Sequence, residues 1–321
     1  MSRAKIAVIG SGLIGRSFSM LFASGGYRVV IFDIEPAQTK AAKNDIRQQL
    51  ANLESNGLLK GTLTKEEQFD NISTTENLQD CLQDAFFIQE CVPEQLELKR
   101  KVWAQIDSLV TGDVILSSST SALLPSVISE GLVHRNRFII SHPTNPPFYV
   151  PAIEVVPAAW TDATVIEKTV SLLKESGLVP VVLKKEIPGF VLNRIQYAIM
   201  GECYRLIRDG VVNPIDCDTI MSQGLGMRYA FMGPWETGYL NAEGMISYGE
   251  RYSDMILGIQ NTFGPPVRME GPTLQTIHSA MEELAGPVED IQARRKWRDT
   301  RLISLAKLKR DFEKADHTDS K

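Results

Sequence analysis

Gly10-Ser11-Gly12-Leu13-Ile14-Gly15 joins a short apolar run, Lys5–Ile9, to a helical pattern over Leu13–Ser24. In a strand–turn–helix unit each glycine has its own duty. Gly10 permits the tight turn, Gly12 lets the backbone, with that of Leu13 and Ile14, approach a pyrophosphate, and Gly15 lets the helix pack closely. The helix start offers free N–H groups and the positive end of its dipole to phosphate. Alone, such a turn is also met by chance, but its context adds weight. A second apolar run, Val29–Asp33, ends in a carboxylate 23 residues after Gly10, where it can accept hydrogen bonds from adenosine ribose hydroxyls. A carboxylate there repels an added 2′-phosphate, which points to NAD rather than NADP; FAD uses a similar entrance.

Outward from this turn, β-rich runs alternate with helical patterns. Ala85–Glu90 and Val114–Ser118 continue the strands, and Pro36–Ser55 and Glu94–Leu109 the helices. Strands this uniformly apolar are covered by helices on both faces, which implies a mostly parallel sheet. Phe138–Ser141, Ile153–Pro157 and Val179–Leu183 extend it, with Asp162–Ser176 as an intervening helix. Beyond Ile187 the pattern becomes helical throughout, punctuated by glycine and proline. The expected fold is α/β: a Rossmann-like NAD-binding domain over 1–187 and a smaller all-helical substrate and dimerisation domain over 188–321. Phe190–Asp209 is expected as one long helix whose apolar faces need a further helix or a second subunit, so a homodimer is expected. The end of the chain, Lys314–Lys321, is expected to fray.

With 34 basic and 39 acidic residues the chain carries a formal charge of −5, which gives no general attraction to nucleic acid or anionic membrane. The basic run at Arg294, Arg295, Lys296, Arg298 and Arg301 reads as a solvated helix or an interdomain clasp. Four cysteines, Cys81, Cys91, Cys203 and Cys217, are too few and too scattered for a disulfide scaffold or a thiolate metal site. There is no signal-peptide pattern and no apolar stretch long enough to span a membrane, so a cytoplasmic protein is expected. Ser320–Lys321 approaches a peroxisomal address but lacks its final leucine.

The segment Ser141-His142-Pro143-Thr144-Asn145-Pro146-Pro147 sets one imidazole among three prolines. A turn there exposes His142 at a sheet end, where it suits proton exchange with an alcohol. Glu154, on the next apolar run, can hold the second ring nitrogen and stabilise an imidazolium; a purely structural His–Glu pair is the competing view. Ser117–Ser121 supplies hydroxyls near the crevice, or caps the next helix. Asn193, after Pro188-Gly189-Phe190, can donate to a developing carbonyl oxygen or tether the core. His134, His278 and His317 read as ordinary surface or packing residues. No nucleophile elbow or HExxH helix is present, and no metal is expected.

These residues resemble the 3-hydroxyacyl-CoA dehydrogenase superfamily, in its lambda-crystallin branch, over nearly the whole chain. The matching segments are the glycine turn, Ile88–Glu94, the run from Ser117, His142–Pro147, Pro188–Arg194, Gly224–Pro234 and Arg294–Asp299. The resemblance implies NAD-dependent oxidation of the C3 hydroxyl of L-gulonate, with His142 as base and Glu154 as its orienting partner. It implies that Ser121 and Asn193 contact substrate, and that Glu94 and Lys99 lie near the ribose and nicotinamide end of NAD. By chemistry alone Lys99 is equally a solvated helix lysine. Arg228 is the candidate to pair with a sugar-acid carboxylate, or else forms a surface salt bridge. An L-3-hydroxyacyl-CoA, a short-chain 3-hydroxy acid, and a structural crystallin use with little turnover remain as alternatives.

Overall fold

The computed structural model describes residues 4–319, with side chains through 316. β1 (Lys5–Ile9) alternates between two covered faces, Ile6 and Val8 entering one core and Ala7 and Ile9 the other. Around it β2 (Arg28–Phe32), β3 (Ile72–Thr75), β4 (Ala85–Glu90), β5 (Ile115–Ser118), β6 (Phe138–Pro143), β7 (Ala152–Pro157) and β8 (Val179–Val182) form one sheet in the order β3-β2-β1-β4-β5-β6-β7-β8. From β3 to β6 every pairing is parallel; β7 returns antiparallel to β6, and β8 runs with β7.

The connections are α1 (Leu13–Ser24), α2 (Pro36–Ser55), α3 (Lys65–Asp70), α4 (Leu78–Leu82), α5 (Leu96–Leu109), α6 (Pro125–Ser129) and α7 (Ala163–Glu175). Phe18 and Phe22 of α1, Ile46 of α2 and Leu172 of α7 fill one core. Trp103 and Ile106 of α5, Leu82 of α4 and Ile128 of α6 fill the other. This is the mostly parallel, doubly covered sheet expected from sequence. β3, α3, α4 and α6 were not foreseen. β3 has a single buried residue, Ile72, and otherwise polar positions at the sheet edge, so it carries little hydrophobic signal. α3 and α4 are one to two turns long and rest on their caps: Thr64 and Glu67 satisfy each other's backbone N–H before α3, and Asn77 accepts from Gln79 and Asp80 before α4.

The chain divides into two compact units, one running to Arg194 and including Leu302–Lys307, the other Ile195–Arg301 with the chain from Leu308. The first unit thus runs past the 187/188 division read from sequence. The physical reason is local: Val191 and Leu192 donate their N–H groups to Glu154 on β7 at 2.7 and 3.0 Å, tying this segment to the sheet. α8 (Leu192–Arg208) begins at that tie.

The second unit is helical, with α9 (Pro214–Thr219), α10 (Gly226–Tyr229), α11 (Pro234–Asn241), α12 (Met245–Gln260), α13 (Gly271–Ala285) and most of α14 (Ile291–Asp319). Tyr204 donates its hydroxyl to the Glu270 carbonyl at 2.6 Å, and Phe231 meets Phe312 edge-on at 6.0 Å. α14 stays helical through Asp319, where fraying from Lys314 was expected. Its basic run is a helix face on which Arg294 and Arg301 both stack on Trp297, 3.8 and 3.7 Å from the ring centroid. The His317 side chain, Ser320 and Lys321 lie outside the described residues. Among those described, no helix is long and apolar enough to cross a membrane.

Candidate active site

The glycine turn sits at the carboxyl end of β1. Gly10 has φ +101°, and a Cβ there would come within 2.9 Å of the Cys91 carbonyl oxygen; a Cβ on Gly15 would lie 1.9 Å from the Gly10 carbonyl oxygen. Neither position tolerates a side chain. Gly12 differs: a Cβ there would meet nothing within 4 Å. α1 begins at this open position with no side-chain cap and no acidic residue in its first turn, so its leading N–H groups are free for an anion. Asp33 closes the cradle from β2. Its Oδ2 accepts the Ser11 N–H (2.8 Å) and hydroxyl (2.7 Å), and its Oδ1 accepts the Glu35 N–H at 3.1 Å. Open backbone at Gly12, an uncapped helix start and a carboxylate at the second strand end fit a dinucleotide.

Parallel pairing of β1, β4, β5 and β6 brings their carboxyl ends to the same edge as this turn. His142 is there, but not on an exposed turn as expected from its three prolines. It is the penultimate residue of β6, only 5% exposed. Pro143 ends the strand without breaking it, because pairing continues through Pro143 with Ile153 and from Thr144 N–H to the Ala152 carbonyl. A proline is tolerated at such a strand end.

Antiparallel register sets Glu154 directly opposite His142. Their side chains meet at 2.8 Å between Nδ1 and Oε2. A carboxylate only accepts, so Nδ1 carries the hydrogen, and in the neutral ring the lone pair is on Nε2. Burial alone would push the Glu154 carboxyl upward. Hydrogen bonds from His142, Leu192 and Val191 outweigh it and hold the carboxyl below its ordinary value. The two N–H donors come from a turn in which Gly189 (φ +75°) and Phe190 (φ +51°) are both left-handed. Phe190 is fully buried with its ring centroid 5.5 Å from that of His142, so packing on the imidazole accompanies this uncommon conformation.

Asn193, 8% exposed, donates Nδ2–H to the Ser121 carbonyl oxygen at 2.8 Å. The Ser121 N–H donates to Glu94 Oε1 at 2.8 Å, as do the Ala122 N–H and the Thr120 hydroxyl. These residues form two hydrogen-bonded groups, His142 with Glu154 and the Val191–Leu192 backbone, and Glu94 with Ser121 and Asn193, which meet in the chain where Leu192 is followed by Asn193. Lys99 is 1% exposed, its ammonium 2.8 Å from Glu90 Oε1 and 3.6 Å from Glu94 Oε2. It is no solvated lysine. Arg228 is exposed on α10 in the second unit.

Sequence reasoning gave no role of its own to Glu90 or to Thr120, which it met only inside the runs Ile88–Glu94 and Ser117–Ser121. The available signal for Glu90 was the pair Lys99 and Trp103, one helical turn apart on α5: a lysine beside a buried tryptophan calls for a buried counter-ion. All four cysteines are free thiols. Burial pushes Cys91, beside the glycine turn, up to about 12, so it is no nucleophile at neutral pH. His134 pairs with Asp107 through Nδ1 at 2.7 Å, away from both hydrogen-bonded groups.

The NAD-binding domain of 3-hydroxyacyl-CoA dehydrogenase matches residues 5–187, and the C-terminal domain of the same family matches residues 189–290. Lambda-crystallin of Oryctolagus cuniculus is 48% identical over 309 residues, 96% of this chain and 97% of that protein. L-carnitine dehydrogenase of Pseudomonas putida is 30% identical over 313 residues, 97% of this chain and 95% of that one. Of solved structures, FHMPC 5-dehydrogenase, an NAD+-dependent dismutase, superposes with a TM-score of 0.79 at 27% identity, covering 97% of this chain and 98% of its own. With its dinucleotide cradle and both domains matched, the chain is an NAD-dependent dehydrogenase and belongs to the 3-hydroxyacyl-CoA dehydrogenase family.

Proposed function

We propose that the protein oxidises the C3 hydroxyl of L-gulonate to 3-dehydro-L-gulonate, with His142 as general base. The observation that carries this is the 2.8 Å pairing of His142 with Glu154 at the sheet edge that also bears the cofactor turn. With Nδ1–H donated to Glu154, Nε2 is the atom that takes the hydroxyl proton, and the adjacent carboxylate stabilises the imidazolium that results. Ser121 contacts the substrate hydroxyl, and Asn193 the oxygen on which charge develops. NAD, when bound, supplies the acceptor for the hydrogen that leaves C3 with its electron pair. The choice of L-gulonate follows the lambda-crystallin resemblance, whose named relative covers nearly the whole chain.

An NADH-formation assay tests this with L-gulonate, L-3-hydroxybutyrate, L-carnitine and an L-3-hydroxyacyl-CoA. Highest kcat/KM on L-gulonate is expected. Preference for the thioester, the short acid or carnitine reassigns the substrate, and NADH binding with no turnover of any leaves a structural crystallin use. Arg228 is assigned to the sugar-acid carboxylate. Arg228→Ala should raise the gulonate KM well above any change in the NAD KM, and equal effects reject that role.

The same reading includes a cytoplasmic homodimer joined through the second unit. Trp235, Leu240 and Ile246 there are 76, 60 and 80% exposed, large apolar side chains that a partner would cover. Light scattering at a mass near that of the 35.7 kDa monomer would remove the dimer.

A further inference from the structure

The amino ends of β5 and β6 and the carboxyl end of antiparallel β7 meet at the sheet edge opposite the crevice. A cavity of about 430 Å³ opens there within the first unit, walled by Asp113 before β5, by His134, Asn136 and Arg137 before β6, and by Asp162 and Lys168 of the α7 segment. Arg137 precedes β6 and His142 nearly ends it, so the two are on the order of 16 Å apart at the usual strand rise. This cavity shares no wall residue with the crevice.

Arg137 Nη1 is buried and has no hydrogen-bond partner among the described residues. A guanidinium does not give up its proton, so a desolvated N–H of this kind calls for an acceptor from outside the chain. The nearby carboxylate of Asp162 accepts instead from Asn136 Nδ2, at 2.7 Å. His134 is held in place with its other face open. Asp107, 7% exposed on α5, accepts from the Val133 N–H at 2.7 Å and the His134 N–H at 3.1 Å, and lies 2.7 Å from the His134 ring Nδ1. Nδ1 therefore carries the hydrogen, and in the neutral ring Nε2 is an acceptor. The imidazole keeps 27% of its surface.

Charge selects what fits. Arg137 and Lys168 attract an anion, and the planar guanidinium fork matches a carboxylate, whose two oxygens it can take together. Asp113 and Asp162 in the same wall oppose a second negative charge, but each accepts hydrogen bonds from hydroxyls. We infer that this cavity is a second ligand site, for a small monocarboxylate that bears several hydroxyls. Its carboxylate is bound by Arg137 and Lys168, and its hydroxyls by Asp113, Asp162 and His134 Nε2. Bound ligand gives Arg137 the acceptor that the chain itself does not.

The chain has four histidines, of which His134 lines this cavity and His142 the crevice, so one NMR titration reads both places. Ring Cε1–H resonances of histidine-labelled protein are assigned with His134→Gln and His142→Gln, then followed as D-gluconate is added at fixed pH and ionic strength. The His134 resonance should shift saturably, with a dissociation constant on the order of 1 mM for a ligand of this size. Arg137→Met should weaken that response roughly tenfold or more, the worth of a charge-assisted hydrogen bond, while the response at His142 stays as in wild type. Arg137→Lys keeps the charge without the fork and should also bind more weakly. Arg137→Met removes an unsatisfied buried group, so its melting temperature should not fall; if it does, Arg137→Lys decides. A His134 resonance unmoved well above that concentration means that water alone fills the cavity and overturns the inference. An equal shift in wild type and both variants overturns it too, and a tighter response to inorganic phosphate than to D-gluconate rejects the monocarboxylate. His142 reports the crevice separately, so the outcome here is distinct from the fate of the gulonate assignment.

Discussion

Asn193 Nδ2 donates to the Ser121 carbonyl oxygen at 2.8 Å, across 72 residues of chain. Since the Ser121 N–H is held by Glu94, the peptide units on both sides of this serine are pinned while the residue itself stays exposed. Asn193→Ala should cost about 1 kcal/mol in urea unfolding, the usual worth of one hydrogen bond, and lower kcat/KM. Asn193→Asp should be worse, because it sets a carboxylate against a carbonyl oxygen. An aspartate variant as stable as the alanine one would argue against the tether.

His142→Gln should lower kcat by about 10²-fold or more, the range expected on removing a general base, while NADH binding stays near wild type. In wild type, kcat/KM should fall on the acid side, because an imidazole that accepts a proton works only when unprotonated. Near-normal turnover of the variant, or a flat acid side in wild type, would remove His142 from the chemistry.

Glu154 gives a separate pH signature in stability. Its folded carboxyl lies below the unfolded value near 4.5, so the folded state binds this proton less readily. The stability it contributes is present above that pH and is lost as pH falls through the folded value. Wild type should therefore be more stable than Glu154→Gln at pH 7, with the gap closing below about pH 4.5. Urea midpoints from pH 7 to pH 3 measure this; a constant gap would contradict it.

The glycine turn separates fold from ligand. Gly15→Ala forces a methyl onto the Gly10 carbonyl and should cost about 1–3 kcal/mol, the usual penalty for overpacking. Gly12→Ala meets open space, so the melting temperature should hold while NADH binding weakens. If Gly12→Ala binds NADH as wild type does, the pyrophosphate does not approach there.

The sheet was legible where burial on both faces wrote an apolar run, as in β1 and β4, and where the glycine turn announced the helix after it. β3 was not, since an edge strand with one buried residue looks like any polar connection. Helix α8 was read nearly in full, but its first turn's attachment to β7 depends on backbone N–H groups, which have no sequence signature. The crevice shows the same split. His142, Glu154, Ser121 and Asn193 stand out by residue type and by resemblance, and the structure pairs His142 with Glu154 and Asn193 with Ser121. The prolines after His142 were misread as a turn, because a proline closing a strand and a proline opening a loop look identical in sequence. Glu90 was passed over since its meaning lies in a lysine and a tryptophan on a neighbouring helix and a serine on another strand.

The direct opposition of His142 and Glu154 across β6 and β7 separates the proton-handling machinery from whatever recognises the substrate. Main-chain pairing aligns the dyad, so the link between the two strands can vary at positions outside the core, which takes in Phe148, without disturbing it. A frameshift of one position in that pairing would be intolerable, presenting Ile153 or Val155 to the imidazole. Descendants of this scaffold could thus acquire new hydroxy-acid preferences by rewriting that link while inheriting the same base.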